Sequence, residues 1–489
     1  MPQRTCIYRL VATLRNWFLN ILYFVICPAV FISYLFEQFT SDVLIYLGTA
    51  KVAAITGGFP MNLDTVWETR FVGHRLLFYT LNAISPFNGW LYSIWMKLVV
   101  GLVTLVILYY FSKRVSEHMQ IAFCYPFIIG FLGLFAVHTF IILSSEFFSV
   151  IIGMLIMTML LDDRDAVWWL SGLLILPLVI LKGLPILIVP IVMLAVVMLT
   201  ADYKVRFYTA ICSLPVVISS YVVMALYFPH FVSDVLLVTK IAHLNRLDPL
   251  HMIEYFFNYG LGVIGYVPVI VLGAVMLFEL VTVTTKDQIR ELKLLLAMWA
   301  IAAVYVLVIS EFFYYHYYLM LVPAILTICY FLKFYKHHTY AFAILVIAVL
   351  ILFCGFVSEW SVGLEGKGYV YQSTRQNSVT AILSKYDILN QYSTLYLDDG
   401  EAAYFFPTHS ASRYVGAMPM QRNMPDWDMT AVPAYWENLN QSLKYTGKYV
   451  IVNPLWFNLS VYTHSKIAAK LNSEYKLVYS NRWDIYQRI

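Results

Sequence analysis

The chain has 489 residues, of which 61% are hydrophobic and only 12% are charged. Soluble domains carry about 25% charged residues, and a water-soluble core cannot absorb this apolar excess, so the composition predicts a polytopic membrane protein. The net charge of +4 is small and no basic run alternates with aromatics, which argues against a nucleic-acid partner. The six cysteines form no CxxC pair and predict neither a disulfide framework nor a zinc site.

Apolar runs recur along residues 1–359 at about the 20-residue length that crosses a bilayer, and they predict about eleven transmembrane helices. The first run is too long for a signal-peptide core and lacks a small-residue cleavage site, so we interpret it as a retained span. The predicted spans are 17–36, 90–111, 120–140, 147–161, 167–181, 184–200, 207–228, 261–283, 292–310, 317–335 and 339–358.

Lysine and arginine are distributed unevenly between the predicted loops. If the N-terminus is cytoplasmic, thirteen of these residues lie inside and about six lie outside, which is the bias described by the positive-inside rule. An odd number of spans then places residues 360–489 on the extracytoplasmic side of the plasma membrane. The same topology predicts a first external loop at residues 37–89.

Residues 360–489, called the tail below, change from long apolar runs to polar and alternating stretches. STLYLDDG predicts a strand ending in a turn, AVPAYWENLNQSLKYTG a helix, KYVIVNP a buried strand, and YKLVYSNRWDIYQRI a hairpin around Ser480-Asn481. The predicted fold class is therefore a polytopic all-α membrane domain at 1–359, followed by an extracytoplasmic α/β domain at 360–489.

The first external loop collects charge in the stretch WETRFVGHR, residues 67–75. Apolar residues in the flanking stretches SDVLIYLGTAKVAAI and ETRFVGHRLLFYTLNAI are spaced as in helices that lie along the membrane interface. In the second stretch, helical spacing puts Arg70 and His74 on one face and Arg75 and Tyr79 on another. Such helices would hold polar groups at a fixed depth near the lipid headgroups.

An acidic residue with a tyrosine one turn later, Asp42 and Tyr46, precedes Glu68 and Arg70 in this loop. The arrangement resembles the first external loop of GT-C membrane glycosyltransferases, in particular the protein mannosyltransferase and aminoarabinose transferase group. Three later segments are similar to that group: WWLSGLLILPLVILKGLPILIVP with Lys182, YYHYYLMLVPAIL, and SRYVGAMP. The chain departs from the group's pattern at Asp42-Val43, where two acidic residues are usual, and it lacks the usual Lys-Pro near Arg70.

The resemblance implies an inverting hexosyl- or pentosyltransferase of the cell envelope. Its donor would be a polyprenyl-phosphate sugar, because the site faces outward and nucleotide sugars are confined to the cytoplasm. Its acceptor would be a glycan, a lipid or a protein. Inverting transfer needs a carboxylate that takes the acceptor's proton, and Asp42 is the candidate base. The alternative is that Asp42 caps the helix after Ser41. Glu68 and Glu146 are further acidic candidates, although Glu146 could simply complement a helix dipole.

Cations would stabilise the departing phosphate. Arg70 and Arg75 carry forked donors suited to phosphate oxygens, although interfacial arginines also bind ordinary lipid headgroups. Lys97 lies inside a predicted span, where a basic residue is costly without a cavity or a partner. The predicted substrate- and phosphate-binding residues are Tyr46, Arg70, His74, Arg75, Lys97, Lys182, Tyr315 and His316. Lys182 could instead mark a surface turn, and the last two an aromatic belt.

Two acidic motifs, Asp162–Asp165 and Asp398-Asp399, resemble metal-binding clusters. The topology places the first on the cytoplasmic side, and the second ends a predicted strand where Asp-Asp-Gly is ordinary turn chemistry. We therefore expect no metal ion or other cofactor, without excluding a divalent metal. Two other functions compete with the transferase: a transporter or flippase, which would place charges at mid-bilayer in two related halves, and a polysaccharide ligase or polymerase, expected to concentrate Arg and His in a late loop.

Overall fold

The protein is described here by a computed structural model. It describes residues 13–14, 16–37, 41–56, 67–68, 72–87, 89–136, 143–160, 266–283, 318–334, 393–398, 401–411, 414–416, 433–454 and 457–489, together with single positions between 215 and 226, 292 and 303, 343 and 350, and at 381 and 385.

Long apolar helices form the N-terminal part. Their bounds are α1 Cys27–Phe36, α2 Ser41–Thr56, α3 Val72–Ala83, α4 Gly89–Met119, α5 Cys124–Phe135, α6 Ser145–Leu160, α7 Tyr266–Val283 and α8 Leu321–Phe334. A π-helical turn, Leu22–Ile26, leads directly into α1. Among the described residues, two helices are long and apolar enough to cross a membrane, Asn16–Phe36 and Leu91–Met119.

Several predicted spans coincide with described helices, namely 17–36, 90–111, 120–140, 147–161, 261–283 and 317–335. The spans at 167–181 and 184–200 lie outside the described residues. Helix α4 continues past the predicted end of its span to Met119. Its 31 residues would measure about 46 Å at 1.5 Å per residue, so it exceeds a hydrocarbon core of about 30 Å. The extra turns carry Arg114 and Glu117, whose side chains pair at 3.3 Å on the exposed surface.

Aromatic side chains and glycines let these helices pack closely. Tyr34 of α1 is buried and contacts Phe135 of α5 edge-on, with 5.1 Å between ring centroids, and it stacks on Phe147 of α6 at 6.4 Å. Gly273 of α7 lies against Ala324 of α8, where an added Cβ would come within 2.9 Å of the Ala324 backbone. Small residues at such crossings allow backbones to approach, as is common between membrane helices.

The tail is an α/β unit. Its strands are β2 Thr394–Leu397, β3 Tyr414–Gly416, β4 Tyr449–Val452, β5 Tyr475–Ser480 and β6 Asp484–Arg488, and its helices are α9 Glu401–Phe405, α10 Pro433–Lys444 and α11 Ser465–Glu474. Four strands form one sheet in the order β2-β4-β6-β5, with β2 and β4 parallel and the other neighbours antiparallel. The strand, helix and hairpin predictions for this region are confirmed. Helices α9 and α11 were not predicted.

The first external loop differs from its prediction in two ways. Glu68 lies in a short strand, β1 Trp67–Glu68, rather than in the second helix, which begins only at Val72. Strand β1 pairs in parallel with β3 of the tail, and a sequence pattern cannot reveal a partner so distant. Helix α2 also lacks the solvated face of an interfacial helix, because all residues from Val43 to Ala50 are buried. Helices α3 and α9 cover it.

Candidate active site

Three aromatic rings join the helices that carry the predicted site residues. Tyr46 of α2 stacks on Phe78 of α3, with ring centroids 5.4 Å apart and planes at 17°. Phe78 in turn meets Phe148 of α6 edge-on at 6.4 Å. All three side chains are buried. We call these three residues the aromatic cluster.

The three rings lie at different depths in their helices, because Phe148 is the fourth residue of α6, Tyr46 the sixth of α2 and Phe78 the seventh of α3. Asp42 precedes Tyr46 by one turn, His74 precedes Phe78 by one turn, and Glu146 precedes Phe148 by two residues. At 1.5 Å per residue, their backbones lie within about 6 Å of the cluster along each helix axis. The ring contacts therefore join α2, α3 and α6, which sequence spacing alone could not place together.

Helix N-termini favour anionic groups, because their first backbone N–H groups lack intrahelical partners and the helix dipole is positive there. Ser144 satisfies one such group in α6, since its Oγ accepts a hydrogen bond from the Phe147 N–H at 3.1 Å. A helix start of this kind suits a phosphate or a developing negative charge.

Glu146 is almost fully buried in the first turn of α6. This position agrees with the structural interpretation, in which the carboxylate complements the helix dipole. Its burial beside Phe147 and Phe148 also agrees with a role in the site, because a carboxylate there is screened from bulk water. Both interpretations of Glu146 stay open.

Lys97 is completely buried in α4. Its ammonium donates a hydrogen bond to the backbone carbonyl of Glu37, the residue at which α1 ends. The predicted requirement for a partner at this depth is therefore met. The contact ties α4 to the short link between α1 and α2, five residues before Asp42. A phosphate contact by Lys97 stays a prediction.

The remaining predicted residues are less fully described. Asp42 is the second residue of α2, Glu68 lies in β1, and His74 and Arg75 lie in the first turn of α3, but their side chains lie outside the described residues. Four further predictions lie wholly outside the described residues: Arg70, Lys182, Tyr315 and His316. Their roles stay predictions.

Strand β1 joins the first external loop to the tail. Trp67 pairs with Tyr414 and Glu68 with Gly416 in a parallel arrangement. Tyr414 to Gly416 belong to SRYVGAMP, a segment that resembles the GT-C group but whose role the sequence does not indicate. In the structure this segment pairs with the backbone of Glu68.

Lys51 of α2 is a residue that the sequence analysis missed. Its ammonium lies 3.9 Å from the ring centroid of Tyr404 in α9 and 5.5 Å from that of Tyr92 in α4. It also donates to the Tyr404 carbonyl oxygen over 3.4 Å. Burial lowers the pKa of Lys51 to about 8. In the sequence, Lys51 lies in a stretch predicted to be an interfacial helix, where a lysine fits the polar face. No local signal indicates that the tail covers it.

The two discounted acidic motifs have different outcomes. The motif at 162–165 lies outside the described residues. Asp398 follows β2 and its carboxylate accepts a hydrogen bond from the Ala402 N–H at 2.7 Å, so it caps α9. This confirms the interpretation of Asp398 as turn chemistry. Within the described part of the chain, no three His, Cys, Asp or Glu side chains group as metal ligands would.

No family model matches the chain, and no curated protein matches its sequence. Solved structures do match. The crystal structure of ArnT from Cupriavidus metallidurans in the apo state aligns with a TM-score of 0.53 and 11% identity, covering 97% of this chain and 98% of that one. ArnT from the same organism bound to undecaprenyl phosphate aligns with a TM-score of 0.56, at the same identity and coverage. The chain therefore has the fold of ArnT, an aminoarabinose transferase of the GT-C class, as the sequence resemblance predicted.

Proposed function

We propose that this protein is an integral-membrane GT-C glycosyltransferase that moves a sugar from a polyprenyl phosphate to an acceptor at the outer face of the membrane. The observation that carries the proposal is the contact of α2, α3 and α6 through the aromatic cluster in an ArnT-like fold. The first turns of α2 and α3 carry an acidic residue, Asp42, and two basic candidates, His74 and Arg75. The undecaprenyl phosphate bound by ArnT supports a lipid-linked phosphate as the leaving group.

The reaction we propose is a single displacement with inversion at the anomeric carbon. The Asp42 carboxylate accepts the proton of the acceptor hydroxyl as its oxygen attacks that carbon. The bond from the anomeric carbon to the phosphate oxygen breaks, and polyprenyl phosphate leaves with the electron pair. Arg70 and Arg75, assisted by the positive starts of α2 and α3, stabilise the charge on the departing phosphate.

Further predicted site residues take supporting roles in this proposal. Glu146 and Glu68 bind sugar hydroxyls or orient the base, and Lys182 contacts the phosphate. Tyr46 borders the site from within the aromatic cluster, and Tyr315 and His316 contact the sugar. The acceptor class, a glycan, a lipid or a protein, is to be decided by assay, as is the need for a divalent metal.

Purified protein in sealed liposomes tests the proposal directly. It is incubated with a panel of hexosyl and pentosyl polyprenyl phosphates and with acceptors of each class, and release of polyprenyl phosphate is measured. A transferase releases polyprenyl phosphate only when donor and acceptor are both present. A flippase leaves the donor intact and changes only its leaflet, so transbilayer movement without release would overturn the proposal. A polymerase would extend its product by repeated additions.

A further inference from the structure

The tail contacts the first external loop at three places. Helix α9 packs on α2, strand β3 also lies against α2, and β3 pairs with β1. Lys51 is at the centre of the first contact, because its ammonium lies between Tyr404 of α9 and Tyr92 of α4. One cation therefore joins three elements that come from the loop, from a membrane helix and from the tail.

The contact at Lys51 consists of aromatic faces and a carbonyl oxygen. Among the side chains that the structure describes, no carboxylate pairs with its ammonium. Burying an ammonium without an opposite charge is unfavourable, and attraction to a ring face compensates in part when the ring lies within about 6 Å. An apolar side chain of similar length would fill this place at a lower free-energy cost. Packing alone therefore does not explain the positive charge of Lys51.

A rigid path leads from α9 to β3. The hydroxyl of Tyr396 in β2 donates to the Phe406 carbonyl and accepts from the Thr408 N–H at 3.1 Å. Thr394 then accepts from the Ala411 N–H at 2.9 Å and donates its own N–H to the His409 carbonyl at 2.8 Å. The described residues that follow α9, up to Ala411, are thus held to β2 of the tail sheet. Strand β3 also contacts β2, so α9 and β3 are connected through the same strand.

We propose that Lys51 is a positioning residue that fastens α9 onto α2 and thereby keeps β3 beside β1, which holds the backbone of Glu68 at the site. The inference rests on the proposed function for its effect on turnover. The contact itself can be tested without turnover, because it changes the protection of backbone amides in β1 and β3.

The test compares Lys51→Met, Lys51→Arg and Tyr404→Leu with the double variant Lys51→Met/Tyr404→Leu. We expect Lys51→Met to lower kcat roughly 3- to 30-fold, the range that corresponds to loss of one cation–π contact, with the KM for the donor changed less than twofold. Lys51→Arg retains the cation and restores most of kcat. The double variant is no worse than the poorer single variant, because both remove the same contact.

Hydrogen exchange of the full-length protein supplies the second readout. We expect Lys51→Met and Tyr404→Leu to raise exchange at residues 67–68 and 414–416, while β4 to β6 stay protected. Lys333→Met is the matched control, because Lys333 lies 5.7 Å from the Tyr330 ring within one helix, and it should change neither readout.

Each outcome decides the inference. Lower kcat with unchanged exchange at β1 and β3 would show that Lys51 acts directly on substrate, and unchanged kcat would also overturn the inference. If Lys51→Met fails to fold, Lys51→Arg and Tyr404→Leu give the same comparison. If the wild-type protein turns over no donor, the proposed function fails, whereas the exchange experiment still reports whether Lys51 fastens the tail.

Discussion

The tail and the first external loop are built in opposite ways. In the tail, the strand Tyr449–Val452 is buried along its whole length and pairs with neighbours in a sheet of four strands, so the local pattern already determines the structure. In the loop, β1 has two residues and its described partner is β3, far along the chain. The comparison shows that the tail strands pair with one another, whereas the described strand of the loop pairs with the tail. We therefore expect the tail to hold its own shape and the loop to need the tail.

The largest effect is expected in the loop, from removal of the candidate base. Asp42→Asn keeps the size and any capping contact of the side chain but cannot take a proton, so kcat should fall by about 10²- to 10⁴-fold. Thermal unfolding of the tail should not change. Glu117→Gln, the same chemical change on an exposed turn of α4, is the control. Full turnover by Asp42→Asn would remove Asp42 as the base.

The next prediction tests whether the tail holds its own shape. Glu401 of α9 is buried and accepts a hydrogen bond from Arg482, which is partly exposed. Arg482→Gln should reduce the free energy of unfolding of the tail by about 1.5 to 3 kcal/mol, the range for hydrogen bonds to charged groups. The measurement is denaturant unfolding followed by tail fluorescence. Lys466→Gln, on the surface of α11, is the matched control, and a similar loss there would show that the effect is general.

A smaller effect is expected from a change in β3 that lowers activity but leaves the stability of the tail sheet unchanged. Val415 lies between the two residues of β3 that pair with β1, and Val415→Pro removes its N–H and restricts the strand backbone. We expect the weaker pairing to cost about 0.5 to 1.5 kcal/mol, the range for one backbone hydrogen bond, which corresponds to roughly a 2- to 10-fold fall in kcat. The sheet of β2, β4, β6 and β5 should unfold as in the wild type. Val415→Thr retains the donor and should have little effect. Equal losses in the two variants would mean that the β1–β3 pairing does not support the site.

The smallest effect is a change in the stability of the tail with pH, caused by His464. His464 stacks on Phe457 at 4.0 Å, and its Nδ1 contacts the Asn458 carbonyl at 2.8 Å. Burial lowers the pKa of His464 below its ordinary value, although the contact with the Asn458 carbonyl opposes the shift. In the unfolded chain His464 binds a proton near pH 6.5, so the unfolded state is protonated first as the pH falls.

The tail should therefore be most stable above pH 6.5 and lose stability as the pH falls from there through the lowered pKa of His464. Chemical denaturation at a series of pH values measures this change. His464→Gln should remove its share of the pH dependence. An unchanged slope in that variant would show that His464 is not the responsible group.

The difference between the regions also explains what the sequence could predict. The patterns of α1, α4, β4 and the β5–β6 hairpin are local, and the predictions made from them are confirmed. The fold-level resemblance to the aminoarabinose transferase group is confirmed as well. The pairing of Glu68 with Gly416 could not be predicted, because neither segment contains information about the other. Helix α2 appeared interfacial for the same reason, since its covering helix α9 is distant in sequence.

The candidate site was partly predictable for the same physical reason. Residue type, predicted topology and helical spacing identify Asp42, His74, Arg75 and Glu146, but only the contact between Tyr46, Phe78 and Phe148 shows that α2, α3 and α6 meet. A charge at the depth of Lys97 requires a partner, and the structure identifies the Glu37 carbonyl as one. The roles of these side chains, the boundary of the tail at residue 360 and the orientation in the membrane stay predictions.

The contact between Lys51 and Tyr404 spans 353 residues of chain, and this distance has a consequence for biosynthesis. At about 5 to 20 residues per second, roughly 20 to 70 seconds separate the synthesis of the two residues. During that interval the surface of α2 that packs against α9 is uncovered, and β1 lacks the strand that pairs with it. A ribosome that stops before residue 404 therefore leaves a chain whose apolar helices are already made but whose first external loop lacks its contacts with the tail.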